Sequence, residues 1–67
     1  MQGLYRHFKG NTYRVLFLAK ESTSWRDVVV YQALYGDNII SVRPLDEFEE
    51  IIERDGKVMK RFEKIGE

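Results

Sequence analysis

Polar and apolar residues alternate at the start of the chain, with Leu4, Arg6 and Phe8 on one side and Tyr5 and His7 on the other. That period of two predicts a strand from Gly3 to Phe8. Lys9-Gly10-Asn11 supplies residues that suit a tight turn, so Thr12 to Lys20 is expected to return antiparallel. The returning segment, TYRVLFLAK, is apolar at both parities after Arg14, as in a strand covered on both faces or bent around a barrel. A polar loop, ESTSWRD, follows from Glu21 to Asp27. Val28 to Tyr35 is rich in β-branched and aromatic residues, and Gly36-Asp37-Asn38 turns it onto a fourth strand, Ile39 to Arg43.

Pro44 has no amide to give a ladder and ends that strand. The period then changes. Leu45, Phe48, Ile51 and Ile52 recur at helical spacing while Asp46, Glu47, Glu49, Glu50 and Glu53 face elsewhere, which predicts a short amphipathic helix. Asp55-Gly56 marks a turn into a last strand, Lys57 to Ile65. The expected fold class is mainly β: a small SH3-like barrel of about five antiparallel strands, with one short helix between strands four and five. The apolar positions Val15, Phe17, Val30, Leu34, Val42, Phe48, Ile51 and Phe62 are expected to supply much of its core.

Sixty-seven residues suit a single domain spanning 1–67, with a stability margin of about 3 to 5 kcal/mol. Without cysteine and with one histidine, the chain has no disulfide staple and no protein-supplied zinc cage, so burial must hold it together. No metal site and no cofactor is expected. No apolar run is long enough to cross a bilayer and the N-terminus has no secretory pattern, so a cytoplasmic protein without a membrane partner is the expectation. Net charge is zero but unevenly spread: residues 1–20 carry four bases and no acid, residues 46–55 six acids and one base. Such a dipole permits a basic face.

Four blocks in order, GLYRHFKGNTYRVL, VVYQALYGD, VRPLDEF and RFEKI, resemble the bacterial domain-of-unknown-function family 1653, short SH3-like barrel proteins. The resemblance spans nearly the whole chain and implies the same fold, but no activity. The chain departs from the family pattern at Lys20, where relatives usually carry a second histidine, at Ser41, often an aromatic, and at Glu47, often a methionine. A mechanism needing two histidines could not run here.

The candidate ligand-binding residues are Tyr5, His7, Lys9, Tyr13, Trp25, Arg43 and Arg61. His7 has the one side chain that ordinarily titrates near neutrality, yet no serine, cysteine or carboxylate is locked to it by spacing, which favours a strand histidine bonded to nearby backbone. Tyr5, Tyr13, Tyr31 and Tyr35 fall on strands, where they either pack or stack on a ligand. Trp25 interrupts a polar loop and reads as a binding anchor or as a lid. Arg43 and Arg61 either grip an anion or pair with the acids of the predicted helix, the favoured use. No catalytic residue is assigned, since phosphate loops, nucleophile elbows, zincin helices and calcium loops are all absent. The expected function is that of a small binding module with an aromatic and basic face, for protein or peptide slightly ahead of nucleic acid. The alternatives are a small enzyme or accessory subunit using His7 and an arginine on an anionic substrate, and a structural part of a larger assembly.

Overall fold

The computed structural model describes all 67 residues. The fold is mainly β, antiparallel throughout, with one short helix. Its strands are β1 (Gly3–His7), β2 (Thr12–Lys20), β3 (Asp27–Ala33) and β4 (Ile40–Pro44), then helix α1 (Leu45–Phe48), then β5 (Ile51–Arg54), β6 (Lys57–Lys60) and β7 (Phe62–Gly66). Five strands form one sheet in the order β4-β3-β2-β1-β7, and β5 and β6 form a separate ribbon. Because the pairing stops at β4 and at β7, the barrel is not closed by backbone hydrogen bonds. No helix is long and apolar enough to cross a membrane.

Seven strands replace the expected five because two segments divide differently. The helix stops after one turn, and β-branched Ile51 and Ile52 enter β5, where they pair with Lys60 and Met59. Asp55 and Gly56, at φ 53° and 77°, form the tight turn between β5 and β6. The expected last strand then breaks at Arg61. Its amide donates to the Glu50 carbonyl (2.9 Å) and its own carbonyl accepts from the Phe8 amide (2.9 Å), which ties the ribbon's base to the end of β1. Phe62 onward turns away to pair with β1.

The core is a cluster of Tyr5, Val15, Val29, Tyr31, Phe48 and Phe62, with Tyr13 and Leu45 packed against it. Val15, Phe48 and Phe62 lie inside as expected. Phe17, Leu34, Val42 and Ile51 do not: all are exposed, and Val30 is half-buried. Val42 lies opposite Val30 on the edge strand β4, Leu34 beyond the end of β3 and Ile51 in the separate ribbon, and for Phe17 the cause is a bulge. Val15 pairs with Tyr31, but Phe17 pairs with Val30, so Leu16 is an extra residue on β2. One inserted residue reverses the parity of every side chain beyond it, which sends Phe17 to the outer face beside Val30 and Val42.

Candidate functional site

Strand alternation aims His7 of β1, Tyr13 of β2, Tyr31 of β3 and Phe62 of β7 at the concave face of the sheet, and α1 adds Phe48 from above. Phe62 is the hub. Ring centres lie 4.8 Å away for His7 and 5.6 Å away for both Tyr13 and Tyr31, all edge to face. Phe48 stacks parallel to it at 4.1 Å, and the Arg43 guanidinium carbon sits 5.6 Å from the same ring. Such contacts add about 0.5–1.5 kcal/mol each beyond the area they bury.

His7 accepts a hydrogen bond at Nδ1 from the Lys9 amide (3.2 Å), so its proton resides on Nε2. This is the backbone-bonded strand histidine. Burial lowers its pKa from 6.5, and the positive charges of Arg43, Arg61 and Lys9 lower it further, which makes the ring a neutral imidazole at pH 7. No carboxylate orients it. Arg43 donates from Nε to the Tyr31 hydroxyl (3.3 Å) and lies 4.0 Å from Glu47, while Arg61 donates from Nε and Nη2 to one oxygen of Glu50 (3.1 and 2.6 Å). Arg43 therefore pairs with an acid of α1, as expected, whereas the partner of Arg61, Glu50, lies just beyond the helix.

On the β4 side of this cluster the Tyr13 and Tyr35 hydroxyls meet at 2.7 Å. Burial and that hydrogen bond push the Tyr13 phenol up to about 12. Beside the pair lies an open cavity of about 380 Å³ whose walls include Tyr13, Tyr31, Tyr35, Ile39 and Ser41. Its rim is the sheet edge. The Ala33 amide donates to the Ile39 carbonyl (3.0 Å), and Tyr31 is opposite Ser41, so odd-numbered residues bond inward to β3. In an antiparallel ladder the residues between them, Ile40 and Val42, direct their amides and carbonyls outward. Ile39, Ile40 and Val42 are 62%, 56% and 64% exposed, so this edge is apolar and uncovered.

Of the seven candidates, the structure gathers His7, Tyr13, Arg43 and Arg61 around the concave cluster, with Lys9 at its margin, its ammonium 5.9 Å from the Phe8 ring. Tyr5 goes into the core instead: it packs edge to face on Phe48 at 5.3 Å and its hydroxyl donates to the Met1 carbonyl (2.9 Å). Trp25 stands apart, 69% exposed in the β2–β3 loop. That loop is held by Glu21, whose carboxylate accepts from the Thr23 and Ser24 amides, bonds that lower its pKa. Sequence reasoning passed over the β4 edge and the basic residues of the ribbon, because both depend on which strands stay unpaired. No group of three metal-ligating side chains occurs.

The family model described as "Protein of unknown function (DUF1653)" matches residues 3–64. A crystal structure of a DUF1653 protein from Bordetella bronchiseptica is similar at a TM-score of 0.91 and 34% identity, covering 98% of this chain and 87% of that one. No curated protein matches the sequence.

Proposed function

The chain belongs to the DUF1653 family, and because that description carries no activity we propose from the geometry that it is a small binding module, one that takes an extended peptide as an added strand along β4. The observation that carries this is the adjacency of an unpaired sheet edge to the tyrosine cavity. Uncovered edges with apolar side chains invite aggregation unless something pairs with them. A peptide laid against β4 would bond to the outward backbone groups of Ile40 and Val42. Its alternate side chains would then reach the cavity of Tyr13, Tyr31 and Tyr35 on one face and the Val30–Val42–Phe17 stripe on the other. Arg43, aimed into the concave face from β4 itself, favours an acidic or hydroxyl-bearing side chain at one position.

The enzyme reading draws less support. His7 has spent Nδ1 on backbone, lacks an orienting carboxylate and borders no nucleophile.

Selection of short random peptides on the folded protein, followed by titration of the winners, tests the proposal. Val42→Pro removes one outward amide without touching the bonds to β3, and Tyr35→Ala opens the cavity wall. Both are expected to weaken the selected peptides at least about tenfold, the loss of roughly one good contact at 1.4 kcal/mol. Peptides that bind both variants as tightly as the parent would exclude β4 as the site.

A further inference from the structure

Folding redraws the charge map of the chain. Three acids of the stretch 46–55 are taken up by arginines: Asp46 by Arg26 at 3.1 Å, Glu47 by Arg43 at 4.0 Å and Glu50 by Arg61 at 2.6 Å. Arg6, Lys20 and Lys64 also have carboxylate partners. Five cations have none, namely Lys9, Arg14, Arg54, Lys57 and Lys60. Four of those five converge on one place, two open clefts of about 390 and 360 Å³ on either side of Phe8. Lys60 and Arg6 line the first, and Lys9, Arg54 and Lys57 the second.

Phe8 is half-buried at the end of β1, with the Arg54 guanidinium 5.5 Å, the Lys9 ammonium 5.9 Å and the Arg61 guanidinium 6.0 Å from its ring centre. The carboxylates present are Glu63, already paired with Arg6, and Asp55. Glu53 pairs across the ribbon with Val58 and Arg54 with Lys57, so alternation puts Glu53 on the opposite side from those two cations and on the same side as Val58 and Lys60, which line the first cleft. The surface is distinct from the β4 edge and does not depend on the peptide reading.

We propose that the two clefts astride Phe8 bind single-stranded nucleic acid. Phosphates would run along Lys9 and Lys57 in the second cleft and reach Lys60 in the first, and a base would stack against Phe8 and the Arg54 guanidinium. A phosphodiester chain carries the regular negative charge that unpaired cations on two hairpins match. The ring decides between classes of strand: a duplex keeps its bases stacked on one another, whereas a single strand offers each π-face to an aromatic or a guanidinium.

Fluorescence anisotropy with a short labelled oligothymidylate over a range of salt tests this. Binding is expected at low salt and is expected to fall linearly on logarithmic axes, at about 0.7 per phosphate neutralised. Lys57→Glu with Lys60→Glu, both exposed, should lower affinity at least about tenfold and reduce that slope by about 1.4. Lys9→Glu, on the other hairpin, should weaken binding in the same way, and Tyr35→Ala should leave it unchanged. The proposal is overturned by an oligonucleotide that does not bind at the lowest salt, or by a slope unmoved in the lysine variants. It is equally overturned if phosphatidylserine vesicles bind while the oligonucleotide does not.

Discussion

Phe48 of α1 and Phe62 of β7 lie face to face, 4.1 Å between ring centres and 6° between planes, across fourteen positions of sequence. Phe48 is 1% exposed and Phe62 4%. The one-turn helix exists to deliver that ring, and the sheet curls around it. Phe48→Ala is expected to cost about 3–5 kcal/mol, comparable to the whole margin of so small a domain, and urea unfolding followed by circular dichroism should show a largely unfolded population. Phe48→Leu, which retains most of the volume, should cost clearly less. A Phe48→Ala midpoint near that of the parent would contradict the stack's place at the centre of the core.

Gly3 carries a second structural demand. Its φ is +138°, and a Cβ there would stand 2.6 Å from the Gly66 carbonyl oxygen, a backbone atom that cannot swing aside. Gly3→Ala should destabilise by about 1–3 kcal/mol and loosen the β1–β7 pairing. Hydrogen exchange at the amides of β7 would report it, and unchanged protection would refute the clash.

Acidification should weaken the fold through His7. Its folded pKa lies below 6.5, so the unfolded chain takes up the proton more readily. The resulting contribution is complete above about pH 6.5 and is lost as pH falls toward the folded value. His7→Asn keeps an acceptor where Nδ1 meets the Lys9 amide, should cost about 1 kcal/mol or less at pH 7, and should remove this part of the pH dependence. Unfolding free energies of the two proteins over a pH series would check it. Parallel curves would mean that His7 does not titrate between the two states.

Tyr13 acts at the opposite end of the pH scale. With its phenol raised to about 12, it stabilises fully below about pH 10 and progressively less as pH rises toward 12. Absorbance titration of phenolate should show a late-titrating tyrosine that disappears in Tyr13→Phe. That substitution should cost about 0.5–1.5 kcal/mol by removing the bond to Tyr35.

Trp25 holds a left-handed backbone at φ 63°, a conformation that costs a bulky residue roughly 1–2 kcal/mol. Its side chain is 69% exposed and returns little burial. Trp25→Gly should therefore leave the urea midpoint unchanged or raise it, in spite of the extra freedom glycine gives the unfolded chain. A loss of more than about 1 kcal/mol would show that the indole packs as a lid.

What the residues alone determined is everything that local stereochemistry controls. The strand β2 runs over Thr12–Lys20 as its pattern predicts, both early hairpins turn at their glycine-bearing tripeptides, and Pro44 ends β4. Family membership and the mainly β class were also legible, and so was the pairing of Arg43 with a helix acid. Tertiary structure decided the rest, because each remaining choice weighs contacts distant in sequence. Apolar residues at both parities of β2 cannot say where the bulge falls, and Leu16 settles which side Phe17 takes. Ile51 and Ile52 suit a helix face and a strand equally, and pairing with Met59 and Lys60 tips them into β5. The same ribbon carries Arg54, Lys57 and Lys60 to Phe8, while ion pairs with Arg26, Arg43 and Arg61 occupy three of the six acids of residues 46–55. Charge along a chain is additive, but charge on a surface depends on which partners folding brings within reach.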